Sequence, residues 1–297
     1  MEKLRLGLEW FLNPDHVPIL IAQEKGWFEE AGIDLELIEP KEHFDAIHEI
    51  EAGNMEAAVT EPIHLVEDRA KGEAVIGFAR FLHTNGGVMY LNGKGIERPA
   101  DMAGKRVQYP GAPGPGGKAI VRTMIEADGG PADAELTAVN NSFYHTDALV
   151  EDKADVATLI FYNFEVIEAR GRGFDAGYFA LKDWGVPDFC QLILITSPKM
   201  LEEKREMLQA LVRIMRRGID YLHENPKEAL AIYDQRTGAY SESEIGARIF
   251  DATVPCFVND FTMSTDYYQQ LQAWMHSTDQ IEQTVDDDAF WTNELAL

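Results

Sequence analysis

Leu4-Arg5-Leu6-Gly7-Leu8-Glu9-Trp10-Phe11-Leu12-Asn13-Pro14-Asp15-His16 runs directly into Val17-Pro18-Ile19-Leu20-Ile21-Ala22-Gln23-Glu24-Lys25-Gly26-Trp27-Phe28. A short apolar stretch gives way to Asn-Pro-Asp, a turn and helix-cap combination, and helical spacing follows as far as Gly26. The stretch therefore reads as strand, loop, helix. In open α/β sheets, ligands meet the carboxyl ends of strands, where loops and helix N-termini present unpaired N–H groups. Trp10, Asn13 and His16 occupy such a place and form the first candidate bay.

The pattern repeats outward from this unit. Ile33 to Glu39 alternates as a half-buried strand, His43 to Ala52 reads as a short helix ended by Gly53, and Glu56 to Thr60 as a third strand. Glu61-Pro62-Ile63-His64 leaves that strand with proline suited to the first turn of a helix running to Gly72, giving a second bay. Ala74 to Phe81 and Gly87 to Leu91 follow as strands around His83-Thr84-Asn85-Gly86, and the βαβ alternation restarts after Pro99. A second lobe thus begins near residue 90.

In that lobe Tyr109-Pro110-Gly111-Ala112-Pro113-Gly114-Pro115-Gly116-Gly117-Lys118 leads into a helix over about 119–128. Gly114, Gly116, Gly117 and Lys118 suit an anion at a helix N-terminus, but the spacing is neither that of a P-loop nor of a dinucleotide fingerprint. An anion cradle and a plain structural turn read equally well. Ala154 to Ile160 is a strand leading into Phe161-Tyr162-Asn163-Phe164-Glu165, the third bay, and the three bays are expected to face one cleft. Gln191 to Thr196 returns the chain to the first lobe. From Pro198 onward the pattern is helical, with later starts at Pro226, Ser241 and Thr265, and a strandless tail most simply packs on lobe one.

The expected fold is α/β, with a discontinuous lobe one over 1–88 and 198–297, including the C-terminal helices, and lobe two over 89–197. At 297 residues both lobes can bury a core. A net charge of −25, from 51 acidic against 26 basic side chains, opposes nucleic acid and anionic membranes as partners. A solvated acidic surface or a high-salt habitat accounts for it. Cys190 and Cys256 are the only cysteines, expected as thiols, and their spacing gives no metal site. No run approaches the roughly eighteen apolar residues of a membrane span.

Trp10, Asn13, His16, Glu61, His64, Tyr162, Asn163 and Glu165 together offer π faces, neutral hydrogen-bonding groups and carboxylates, which suits a small flat heteroaromatic ligand. Each also has a plain structural reading: core aromatics for Trp10 and Tyr162, a helix-cap neighbour for His16, a first-turn carboxylate for Glu61. The inventory favours binding over catalysis.

The opening run Glu9 to His16, Ala22 to Phe28 and Ala31 to Leu35, with Glu61 to His64, Phe161 to Glu165 and Asn225-Pro226, resembles the thiamine-pyrimidine family. The resemblance implies a two-lobed fold like that of type 2 periplasmic binding proteins. It also implies one of two functions. One is a receptor for formylaminopyrimidine or a hydroxymethylpyrimidine-like ligand, with Phe189 joining the ligand-binding set, no cofactor and an ABC transporter permease as partner. The alternative is a synthase that uses pyridoxal phosphate and iron and consumes its own histidine, here matched by His64. The synthase lysine position is Thr60, and its cysteine-rich iron motif corresponds to Val186 to Cys190, with one cysteine. These departures favour the receptor. A receptor is extracytoplasmic once its leader is removed; residues 1–10 hold no leader, and the alternative compartment is the cytoplasm.

Overall fold

A computed structural model of the chain describes residues 1–40, 46–110, 114–238, 243–286 and 290–296. The chain divides into two compact units: Met1–His83 with Gln191–Gln272 and Gln283–Leu297, and Thr84–Cys190 with Ala273–Glu282.

Unit one holds β1 (Glu2–Gly7), β2 (Ile33–Ile38), β3 (Ala57–Thr60) and β4 (Ile76–His83). Unit two holds β5 (Gly86–Leu91), β6 (Arg106–Gln108), β7 (Thr137–Val139), β8 (Val156–Phe161) and β9 (Ala176–Ala180), and β10 (Gln191–Thr196) returns to unit one. The first sheet has the order β2-β1-β3-β10-β4. In it β1 is parallel to β2 and β3, while β10 is antiparallel to β3 and β4. The second has the order β7-β6-β8-β5-β9, with β6 parallel to β7 and β8 and with β5 antiparallel to β8 and β9. Each sheet is therefore mixed: four strands run in one direction, and a single strand, β10 in the first sheet and β5 in the second, reverses between two of them.

The divisions at 83/84 and 190/191 compare with boundaries of 88/89 and 197/198 read from the sequence. β4 ends at His83 and β10 begins at Gln191, so the chain leaves the first sheet at His83 and re-enters it at Gln191. The tail is helical over Pro198–Glu203, Arg205–Glu224, Pro226–Thr237, Glu244–Thr253 and Thr265–Ser277. Not all of it belongs to unit one, because Ala273–Glu282 is part of unit two. There the Trp274 ring stacks on Phe189, with centroids 5.9 Å apart, and its Nε1–H donates to Thr123 at 3.0 Å. An indole with one apolar face and one donor is best buried where both are met. The expected helix start at Ser241 and the expected onset at His43 and Phe44 lie outside the described residues.

The core of unit one forms under the helix Val17–Glu24, whose Val17, Ile19, Leu20, Ile21 and Ala22 are fully buried. Helix Arg205–Glu224 crosses it so closely that a Cβ on Gly218 would lie 2.4 Å from the Pro18 carbonyl oxygen. Unit two has its own cluster around Met89, Ala157, Ile160 and Val166. A bulge in β8 opposite Gly87–Met89 puts Leu159 at φ 55°, a left-handed conformation that an L side chain adopts only under strain.

Candidate functional site

In unit one the loop after β1 is built by hydrogen bonds among its own residues. Asn13 caps the turn Pro14–His16: its Oδ1 accepts the Asp15 N–H at 2.7 Å, and its Nδ2 donates to the Phe11 carbonyl at 3.0 Å. The Asn13 N–H in turn donates to His16 Nδ1 at 3.2 Å. That bond leaves the ring proton on Nε2, which faces both Glu9 carboxylate oxygens at 3.1 Å. Burial opposes charge on this fully buried ring, and the Glu9 carboxylate outweighs it to raise the pKa. Asn13 and His16 are thus engaged in shaping the loop, whereas Trp10, in tilted contact with Phe11 at 4.4 Å, lies partly exposed on it.

The loop after β3 carries the second cluster. Glu61 sits at the N-cap of the helix Pro62–Ala70 without capping it, and its carboxylate meets His64 Nδ1 at 2.9 Å. Thr60 Oγ1 lies 3.4 Å from the same nitrogen. Burial again works against the imidazolium, but Glu61, with Glu67 and Asp68 behind it, prevails and pushes the His64 pKa up to about 9. At neutral pH the pair is an ion pair, with side chains only 17% and 14% exposed.

Unit two brings together the residues at the end of β8. Tyr162–Val166 forms a π-helical turn, which widens the backbone so that Asn163 and Glu165 both turn inward, 2% and 3% exposed. Glu165 accepts the Phe161 N–H at 2.8 Å, and Asn163 Oδ1 accepts the Thr84 hydroxyl at 2.5 Å. Tyr162 is 39% exposed, edge-on to Tyr178 at 5.1 Å, with the Arg170 guanidinium 6.0 Å from its ring centre. The Asn85 carbonyl ties the two tyrosines, accepting the Tyr162 N–H at 3.1 Å and the Tyr178 hydroxyl at 2.7 Å. Thr84, Asn85 and His145, whose Nε2 is 4.0 Å from Glu165, belong to this cluster and were not singled out in the sequence. The only sequence signal for the first two is their place in the turn-like run 83–86.

Phe189 is fully buried in unit two against Trp274, so its ring face is already covered. In the glycine-rich segment, residues 111–113 lie outside the described residues. A Cβ on Gly116 would be 2.7 Å from the Tyr109 hydroxyl, and one on Gly117 would be 2.6 Å from Tyr109 Cβ. Close packing on Tyr109 therefore accounts for both glycines without an anion. Gly114 and Lys118 remain partly exposed beside the start of the helix Gly116–Ala127.

The family described as NMT1/THI5 like matches residues 13–229, which span the loop from Asn13, the Glu61–His64 pair and the Tyr162–Glu165 turn. The chain belongs to the NMT1/THI5-like family. Among its relatives, a protein of Halalkalibacterium halodurans named formylaminopyrimidine-binding protein is 30% identical over 78% of this chain and 70% of that one. A 4-amino-5-hydroxymethyl-2-methylpyrimidine phosphate synthase of Legionella pneumophila is 29% identical over 86% and 80%. Solved structures show the fold. The alkanesulfonate-binding protein SsuA of Xanthomonas axonopodis pv. citri superposes with a TM-score of 0.76 at 13% identity, covering 98% of each chain. The CA3427 gene product of Candida albicans, described as having the generic periplasmic binding protein fold, gives 0.72 at 13% identity over 99% and 97%. The NMT1/THI5-like chain thus has the periplasmic-binding-protein fold, and among the described residues no helix is long and apolar enough to cross a membrane.

Proposed function

We propose that this NMT1/THI5-like protein is a solute-binding protein for a thiamine-related aminopyrimidine, of the formylaminopyrimidine or hydroxymethylpyrimidine kind, that feeds uptake or salvage. The observation that carries the reading is the turn after β8, where a buried carboxylate and a buried amide, Glu165 and Asn163, stand beside the half-exposed ring of Tyr162. An aminopyrimidine edge alternates N–H donors and ring-nitrogen acceptors. A carboxylate takes the first, an amide can serve either, and a tyrosine covers the ring face. Unit one by itself carries Trp10 on the loop that Asn13 and His16 shape, and the Glu61–His64 ion pair after β3. The relative named for formylaminopyrimidine binding supports this ligand class, and the SsuA-type fold supports delivery to an ABC-type permease on the outer side of the cytoplasmic membrane.

A synthase reading has His64 in its favour, but the residues present do not fit its cofactors. The third strand ends on Thr60, which has a hydroxyl where pyridoxal phosphate needs an amine. The iron segment offers Cys190 alone, its sulfur packed against Gly86, and among the described residues no group of three or more His, Cys, Asp or Glu is placed to hold a metal. Mass spectrometry of the small molecule carried by natively purified protein tests the proposal. An aminopyrimidine mass is the expected result, and a sulfonate or a pyridoxal species would overturn it.

A further inference from the structure

His145 opens the helix His145–Val150 in unit two and is 3% exposed. Three and four residues on, Ala148 and Leu149 join the apolar cluster of the unit. Its Nδ1 is sealed from solvent and has no hydrogen-bond partner among the described residues. Leaving such an atom unmet destabilises the folded chain, so a purely structural histidine here is poorly explained. The other nitrogen, Nε2, points at Glu165 Oε1 from 4.0 Å, beyond hydrogen-bond range, while Glu165 Oε2 is fixed by the Phe161 N–H at 2.8 Å. Burial pushes the His145 pKa down to about 4, so at neutral pH the ring carries one proton, which the adjacent carboxylate draws to Nε2.

We propose that His145 is a positioning residue for ligand recognition: when ligand engages Glu165, the His145 Nε2–H closes onto Oε1 and fixes the carboxylate plane so that it meets the N–H edge of an aminopyrimidine. The inference rests on the aminopyrimidine reading of the same site and adds a residue to it. Contacts that are long without ligand commonly tighten in the complex, and the approach needed is about 1 Å. A carboxylate held at both oxygens cannot rotate to meet a ligand that lacks the amino group, so His145 sets discrimination as well as affinity.

Titration calorimetry of the full chain with hydroxymethylpyrimidine and with its analogue lacking the amino group tests this on His145→Phe, His145→Gln and His145→Asn, with melting curves alongside. Gln carries an N–H near the place of Nε2, Asn one near Nδ1, and Phe neither. Phe is expected to lose roughly tenfold or more in affinity for the amino ligand and much less for the analogue, Gln to recover most of the loss, and Asn little. Should Phe not fold, the Gln and Asn pair decides alone: Gln binding better than Asn supports the proposal, and equal or reversed affinities overturn it. Native affinity in Phe, or equal losses for both ligands, also overturns it. A native chain that binds no aminopyrimidine overturns the functional reading as well, whereas native binding with indifferent His145 variants removes only the role of His145.

Discussion

Burial alone would keep the His64 ring neutral, yet Glu61 at 2.9 Å, backed by Glu67 and Asp68, holds its proton to about pH 9. The sign of the consequence follows from that raised value. The pair contributes its full stability below the unfolded pKa of about 6.5, progressively less above it, and nothing once pH has risen past about 9. Urea denaturation should show the native chain losing on the order of 2 kcal/mol across this window, and His64→Gln should lose clearly less; parallel curves would refute the pairing. Asn13 and Trp10 separate loop building from binding. Asn13→Ala removes a cap and should cost about 0.5–2 kcal/mol in the same assay. Trp10→Ala should weaken ligand binding while leaving the melting temperature nearly unchanged. Asn13 was legible because Asn-Pro-Asp is a local cap signal. Thr84 was not, because its bond to Asn163 joins residues 79 apart and only the folded sheet brings them together.

The strands of unit one were legible from alternation, as in Ile33–Ile38, and the helix Val17–Glu24 from its spacing and its stop near Gly26. The π-helical turn and the Leu159 bulge were not, since both arise from pairing geometry on β8 rather than from side-chain periodicity. Nor was the share of the tail that goes to unit two, which the Trp274 contacts with Phe189 and Thr123 decide. The tightest element contact makes its own prediction. Gly218→Ala forces a methyl group against the Pro18 backbone carbonyl, which cannot rotate away as a side chain can, so the helix must shift. Thermal or urea unfolding should show a loss of about 1–3 kcal/mol despite the better helix propensity of alanine. A neutral or stabilising effect would show that the two helices are not so closely packed.

For the molecule as a whole, the two five-stranded sheets share one topology, and that much follows from the βαβ restart after residue 99 together with the late return of β10. The ligand class is the claim on which the rest depends. Protein supplied with pyridoxal phosphate and iron should keep His64 intact by peptide mass spectrometry, because Thr60 supplies no amine. The most direct measurement is titration calorimetry of the native chain with hydroxymethylpyrimidine and its phosphate, repeated on Glu165→Gln, Trp10→Ala and Lys118→Ala. The expected result is saturable binding by the native chain that falls roughly tenfold or more in the first two variants, with Lys118→Ala affecting only the phosphorylated ligand if either. No binding of an aminopyrimidine by the native chain, or full affinity in both Glu165→Gln and Trp10→Ala, would contradict the account.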